Sequence, residues 1–376
     1  MIGQEALRAV SNPERETRVL VVDDSAFMRY VISKELSADP TIKVVGMARD
    51  GVDAMQKIEL LQPDVVTMDL EMPRMDGLTA LERIMAEMPV PVILLSSLTQ
   101  EGAAVTIRGL ELGAVDFVPK PSAVEASVAE EVWRQLITKV KGAGSLDRRR
   151  LGARPRVQAT LRRVEQPPKP QPVQRAGARA ERVVVIGTST GGPRALFEVV
   201  PRLPGELQAA VLLVQHMPPG FTRSLAARLN DVSRLSVREA AEGDLVQNGV
   251  ALLAPGDYHM VVRRGGRVAL ERTPPVHGVR PAVDITMEAA ASVYGPACVG
   301  VVLTGMGVDG TSGALAIRRA GGVVMAEDES TCVVYGMPRS VYEAGAASRV
   351  VRLEAMADAI VEALAANGMG GSGQAR

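Results

Sequence analysis

Residues 183–193 read Val-Val-Val-Ile-Gly-Thr-Ser-Thr-Gly-Gly-Pro and run on into Ala195-Leu-Phe-Glu-Val-Val200. A β-branched run, a glycine-rich turn and a proline heading an apolar-periodic segment predict strand, tight turn and helix. That geometry lifts Ser189 above the end of a sheet and aims the N–H groups of the helix start beside it, which suits a nucleophile or an anion site. As a phosphate cradle the turn lacks the P-loop lysine and the G-x-G-x-x-G spacing. As a nucleophile turn it departs from the G-x-S-x-G elbow. In a third reading its glycines satisfy backbone geometry alone.

A chain of 376 residues predicts two or three domains. With 47% apolar and 23% charged residues each can bury a core, and with 3% aromatics that core must be Val, Leu, Ile, Ala and Met. Zero formal net charge gives no global argument for nucleic acid or a membrane surface. Cys298 and Cys332 lack C-x-x-C spacing and read as buried free thiols of a reducing compartment. The polar N-terminus is not a signal peptide, and no apolar run approaches the roughly 18 residues that span a bilayer. A cytoplasmic protein is expected.

From Arg18 to about residue 140, short apolar strands alternate with helical periods. Strands are expected at 19–22, 42–47, 64–68, 92–95 and 114–118, and helices at 26–36, 51–61, 77–87, 103–112 and 124–140. Five βα units in about 120 residues argue a doubly wound parallel sheet, with sites at the carboxyl ends of its strands. In a flavodoxin-like order, Asp23, Asp24 and Asp69 share one edge. Three carboxylates there need compensation; Lys120, before Pro121, supplies one charge and a hard cation such as Mg²⁺ the rest. Such a pocket makes Asp69 a plausible nucleophile toward a phosphoryl group.

The ordered set Val-Val-Asp23-Asp24-Ser, Met-Asp69-Leu-Glu-Met-Pro-Arg-Met-Asp-Gly77, Leu-Leu-Ser96-Ser and Phe-Val-Pro-Lys120-Pro121 resembles the signature of response-regulator receiver domains. The resemblance implies Asp69 as phosphoacceptor, Mg²⁺ on Asp24, Asp69 and the Glu71 carbonyl with Asp23 assisting, phosphoryl oxygens on Ser96 and Lys120, and Phe117 as the aromatic switch.

Residues 141–181 read as a basic, Pro- and Arg-rich linker: between Lys141 and Arg182 stand twelve Lys/Arg against three Asp/Glu. It should be a semi-extended tether that cannot fold alone. Its arginines could dock an acidic partner, but no aromatics interleave them as nucleic-acid binding would want.

From 182 to about 368 the chemistry again falls at strand ends. The strand 210–215 runs into His216-Met-Pro-Pro-Gly before a helix at 221–230, and the strand 298–303 runs into Thr304-Gly-Met-Gly-Val-Asp309-Gly before a helix from Thr311. Ser189, His216 and Asp309 thus follow three parallel strands of a doubly wound, mainly parallel α/β domain. A serine hydroxyl needs a base, and the base an orienting carboxylate; that constellation recurs in any chain order. Glycines around Met306 leave backbone N–H groups for an oxyanion. His259 and His277 are rival bases, and the loop His277-Gly-Val-Arg280-Pro could face substrate.

The motifs Ile-Gly-Thr-Ser189-Thr-Gly-Gly, Gln-His216-Met-Pro-Pro-Gly-Phe-Thr, His-Gly-Val-Arg280-Pro, Leu-Thr-Gly-Met306-Gly-Val-Asp309-Gly and Tyr335-Gly-Met-Pro resemble the chemotaxis methylesterase (CheB) family. The resemblance implies Ser189 as nucleophile, His216 as base, Asp309 as its orienting carboxylate and the Met306 backbone as oxyanion donor. It also implies hydrolysis of glutamate γ-methyl esters on methyl-accepting chemotaxis receptors with release of methanol, deamidation of receptor glutamines, a histidine kinase as phosphodonor, and no cofactor in the esterase site. Thr188 stands where alanine is common in that family, and Val308 where a polar residue often precedes the aspartate. Control is expected to be steric, with the unphosphorylated receiver covering the mouth of the site. A non-enzymatic output module and an esterase of a different signalling pathway are the rival readings.

Overall fold

Five short apolar runs near the N-terminus pair side by side in this computed structural model, which describes residues 16–120, 126–146 and 179–369. They are β1 (Thr17–Val22), β2 (Ile42–Ala48), β3 (Val65–Asp69), β4 (Val92–Ser96) and β5 (Asp116–Pro119), in the order β2-β1-β3-β4-β5. This is the flavodoxin-like order expected. β3 and β4 bury every residue, as a sheet covered on both faces requires. Between and after the strands run α1 (Ala26–Ser37), α2 (Gly51–Leu61), α3 (Gly77–Glu87), α4 (Gln100–Leu112) and α5 (Ala126–Gly144). Side chains of Ser25, Asp50, Asp76 and Thr99 cap the first four by accepting N–H groups of their first turns.

Three expectations about boundaries need correction. α4 starts at Gln100, not Ala103, because the Thr99 hydroxyl takes the Gly102 N–H at 2.9 Å. β5 starts at Asp116, not Ala114, because Gly113 ends α4 in the left-handed region (φ 118°) and the Ala114 N–H still bonds back to Gly109. α5 continues through Gly144, so the residues expected to open the tether at Lys141 are helical; Val140 and Ala143 are buried there, and Lys141 pairs with Asp39 at 3.0 Å. Pro121 and residues 147–178 of the expected linker lie outside the described residues.

By compactness the chain divides into two units, Met1–Ser96 with Phe117–Leu151 and Ser97–Asp116 with Gly152–Arg376. The second holds a seven-stranded parallel sheet of β6 (Val183–Thr188), β7 (Ala210–Gln215), β8 (Ser236–Glu239), β9 (Val250–Leu253), β12 (Cys298–Val302), β13 (Val323–Glu327) and β14 (Arg349–Val351), ordered β14-β13-β12-β6-β7-β9-β8. A separate antiparallel hairpin pairs β10 (His259–Arg263) with β11 (Arg267–Glu271). The helices are α6 (Gly192–Val199), α7 (Phe221–Val232), α8 (Val283–Tyr294), α9 (Thr311–Arg319), α10 (Met337–Glu343) and α11 (Leu353–Met369).

β6, β7 and β12 bury every residue and form the middle of the sheet. From β6 the chain winds outward to β9 and β8, then returns to β12 on the other side. The order therefore reverses between β6 and β12, where a doubly wound sheet opens a crevice at its carboxyl edge. Gly187 serves this packing directly: a Cβ there would run into the Val283 side chain of α8.

Candidate active site and phosphoacceptor pocket

Ser189 follows β6 and His216 follows β7, and the residues just before them, Thr188 and Gln215, are register partners. On the other side of β6, Val302 pairs with Gly187, so the loop after β12 starts level with the Ser189 turn. The Ser189 N–H donates to the Thr304 carbonyl at 3.0 Å and the His216 N–H to the Thr188 carbonyl at 3.2 Å. Strand register alone thus brings the three expected loops together.

Asp309 is buried, and its carboxylate is saturated. Oδ2 lies 2.7 Å from His216 Nε2 and accepts the Val283 N–H at 2.6 Å; Oδ1 accepts N–H groups of Asp284 at 2.9 Å and Gly310 at 3.0 Å. Two of these donors open α8, so the carboxylate sits on a helix N-terminus. Burial works to raise its pKa, but His216 and those backbone donors outweigh burial and hold it below the usual carboxylate range. Asp309 stays ionised and fixes the ring of His216, whose exposure is only 10%.

The turn carrying Ser189 is tight because Gly191 takes a left-handed φ of 77° and the Gly192 N–H closes back on the Ser189 carbonyl at 2.8 Å. Gly305 crosses immediately beside it: a Cβ at Gly305 would collide with Met337 Sδ and stand 2.8 Å from Ser189 Cβ. The next residue is Met306, and among the described residues its N–H has no hydrogen-bond partner. That places an open donor on the loop that touches Ser189.

Four groups that sequence patterns did not single out hold this arrangement. The buried Gln215 amide donates to the carbonyls of Ser189 at 3.0 Å and His216 at 3.1 Å, and accepts the Thr188 hydroxyl at 2.6 Å. Thr188 is therefore part of the scaffold beneath the turn. The Thr304 hydroxyl donates to the Thr190 carbonyl at 2.9 Å, and the Thr304 N–H donates to Glu327 Oε2 at 2.7 Å. Asp284, beside Asp309, accepts the Gly313 N–H at 2.8 Å and meets His277 Nε2 at 3.1 Å. Burial and then the Asp309 charge push the Asp284 carboxyl up, against the Gly313 N–H and His277.

The rival histidines are thereby placed. His259 is buried between the Pro274 carbonyl (3.2 Å) and the Ala282 N–H (3.1 Å), so both its nitrogens are consumed by backbone. His277 serves Asp284. Arg280 does not reach outward either: its guanidinium is held by Asp257 and by the Thr273 carbonyl at 2.8 Å. Val308 is exposed at 49% on the loop leading to Asp309.

In the first unit the expected acidic pocket forms at the ends of β1 and β3. Asp23, Asp24 and Asp69 bring carboxylate oxygens within 4.8 Å of one another, and Lys120 Nζ reaches Asp69 at 2.8 Å and Asp23 at 2.9 Å. Burial, with the Asp23 charge added, raises the Asp69 carboxyl despite Lys120. One ammonium against three carboxylates leaves negative charge uncompensated, and the donors are all oxygens. This set fits a hard divalent cation such as Mg²⁺. Gly77 lies so close that a Cβ would collide with the Asp69 carbonyl. Ser96 and Phe117 are both buried; the Ser96 carbonyl accepts the Lys120 N–H at 2.7 Å, and the Phe117 carbonyl accepts Lys139 Nζ at 2.7 Å.

Comparison with known proteins agrees with both halves. Residues 184–360 match the CheB methylesterase family model and residues 19–130 the response regulator receiver domain. The chain is 53% identical over 361 residues to the protein-glutamate methylesterase/protein-glutamine glutaminase of Symbiobacterium thermophilum, covering 93% of this chain and 98% of that protein. It is 49% identical over 353 residues to the protein of the same name from Pyrococcus abyssi, covering 93% and 94%. The crystal structure of the Thermotoga maritima CheB methylesterase catalytic domain is 47% identical, with a TM-score of 0.47 over 48% of this chain and 97% of that one. With a receiver domain, an esterase domain and full-length relatives of this similarity, the chain belongs to the CheB family of protein-glutamate methylesterases/protein-glutamine glutaminases.

Proposed function

We propose that the enzyme removes methyl groups from glutamate γ-methyl esters of methyl-accepting chemotaxis receptors, with Ser189 as nucleophile, His216 as general base, Asp309 as the carboxylate that orients it and the Met306 N–H as oxyanion donor. The observation that carries this reading is the His216–Asp309 pair, set beside Ser189 at the ends of three adjacent strands. The Ser189 oxygen attacks the ester carbonyl carbon as its proton passes to His216 Nδ1. Collapse of the tetrahedral oxyanion expels methanol, which takes that proton, and a water repeats the sequence to free the glutamate carboxylate. A primary amide follows the same course with ammonia leaving, which makes receptor glutamine a second substrate.

The acidic pocket of the first unit supports Asp69 as the phosphoacceptor, its carboxylate attacking the phosphorus of a kinase phosphohistidine while Lys120 and Ser96 bind the phosphoryl oxygens. Asp24, Asp69 and the Glu71 carbonyl, with Asp23 assisting, would hold Mg²⁺, which neutralises phosphoryl charge when bound. Phosphorylation raises esterase activity, with Phe117 as the aromatic switch, and gives adaptation in chemotaxis. No helix among the described residues is long and apolar enough to cross a membrane. In this reading the enzyme is cytoplasmic and meets the membrane through its receptors.

The test is methanol release from methylated chemoreceptor membranes by wild type and Ser189→Ala, each with and without a small phosphodonor. Release that the donor stimulates and the substitution abolishes is expected; no release by wild type carrying phosphate on Asp69 would remove receptor esters as the substrate. A chain lacking residues 1 to about 180 should be faster than the unphosphorylated full-length enzyme.

A further inference from the structure

Glu327 closes β13, one strand beyond β12 from the Ser189 turn, with its side chain completely buried. Nothing in the reaction uses it. A buried carboxyl is costly to retain, and such a group is expected to answer a specific donor. Its donor is the N–H of Thr304 at 2.7 Å, the first residue after Leu303 in the loop that carries Met306 and Asp309. Thr304 in turn grips the nucleophile turn at two consecutive residues: its carbonyl accepts the Ser189 N–H at 3.0 Å, and its hydroxyl donates to the Thr190 carbonyl at 2.9 Å while accepting the Val334 N–H at 2.9 Å.

We propose that Glu327 is a positioning residue for Ser189, acting through Thr304 to fix the nucleophile turn against the oxyanion loop. The inference rests on Ser189 being the nucleophile. Its physical basis is that Thr304 is bonded both to the turn after β6 and to the end of β13; with Glu327 holding its N–H, its carbonyl and hydroxyl are kept against Ser189 and Thr190. Misplacing a nucleophile by a fraction of an ångström costs rate without costing substrate affinity. The charged groups around Glu327 are Arg194 on α6 and Glu354 on α11, with Thr331 and Cys332 on the loop that follows. Neither cation nor anion among them touches the Thr304 N–H, so the positioning bond belongs to Glu327 alone.

The experiment compares Glu327→Gln, Glu327→Ala and Thr304→Val with wild type and Ser189→Ala in the full chain, reading kcat and KM for methanol release together with the rate at which a fluorophosphonate labels Ser189. Gln keeps an oxygen for the Thr304 N–H and should stay within about threefold of wild type. Ala, and Thr304→Val by removing the hydroxyl link, should lower kcat and the labelling rate about tenfold or more with KM little changed, the equivalent of losing one well-placed hydrogen bond. If Glu327→Ala fails to fold, Glu327→Met, which fills the same space but offers no oxygen to the Thr304 N–H, takes its place and decides. A fall confined to melting temperature, with kcat and labelling intact in the folded variants, overturns the proposal. Turnover by Ser189→Ala would instead overturn the assignment of the nucleophile, a separate failure that this set distinguishes.

Discussion

His216 meets Asp309 through Nε2, at 2.7 Å. The ring nitrogen nearer the backbone, Nδ1, is thus the one on which the proposed reaction depends, and the N–H that Nε2 carries is donated to the carboxylate. The tautomer follows from the acceptor: Asp309 has no proton to give, because four donors surround its two oxygens.

Asp309→Asn should therefore damage the enzyme twice. An amide nitrogen in place of either oxygen would confront backbone N–H groups of Val283, Asp284 or Gly310, and flipping it toward His216 selects the wrong tautomer. By analogy with other triads kcat should fall roughly 10³- to 10⁴-fold. Folding stability should also drop by about 1–3 kcal/mol for the unsatisfied donors. Steady-state methanol release and thermal melts check both; a variant of full activity would show that Asp309 does not orient the base.

Gly305→Ala tests the close crossing beside the nucleophile. The added methyl collides with Met337 Sδ, a flexible neighbour, but also presses on Ser189 Cβ and its backbone nitrogen. Activity should fall at least about tenfold while overpacking costs about 1–3 kcal/mol of stability. Circular dichroism melts beside kcat separate the two effects, and unchanged kcat would mean the loop has room to retreat from Ser189.

Glu327 also predicts how stability depends on pH. Burial pushes its carboxyl up to about 7, against the Thr304 N–H that favours the charged form. A carboxyl whose folded pKa lies above its unfolded value of 4.5 binds its proton more tightly when folded. Its contribution is complete below about pH 4.5 and is lost as pH rises to about 7, a swing on the order of 3 kcal/mol. The melting temperature of wild type relative to Glu327→Gln should fall across that window and level off above it. A difference that stays constant from pH 4.5 to 8 would place the Glu327 titration elsewhere.

The placement of the candidate residues was legible where they sit at strand ends. Ser189, His216 and Asp309 each lie in a loop that follows a buried apolar run, and one-dimensional spacing suffices to see that. What spacing cannot show is which loops become neighbours sideways. Gln215 is one residue from His216, yet its task is set by cross-strand register with Thr188; Glu327 and Thr304 are far apart in sequence and meet because β13 lies beside β12. Buried polar partners of this kind are fixed by tertiary pairing. The same limit applied to His277 and Arg280, whose partners Asp284 and Asp257 spacing does not reveal. The start of α4 erred because one cap, Thr99, decides it, and the start of β5 because Ala114 still bonds back to Gly109 after Gly113 closes the helix, whose end at Leu112 was read correctly.

The acidic pocket yields the last prediction. Asp69 sits between Lys120 and Asp23; burial and the Asp23 charge raise its carboxyl while Lys120 opposes them. A divalent ion shared with Asp24 would favour the carboxylate and accept phosphoryl charge. Incubation with acetyl phosphate and Mg²⁺ should therefore add one phosphoryl group, measurable as a mass increase, and chelation with EDTA should abolish it. Asp69→Asn should add none under any condition, and Lys120→Met should slow the reaction although it removes a competitor for the carboxylate, because the phosphoryl oxygens lose their ammonium. Phosphoryl incorporation into Asp69→Asn at the wild-type rate would move the acceptor to another residue, and incorporation unaffected by EDTA would remove the metal from the reaction.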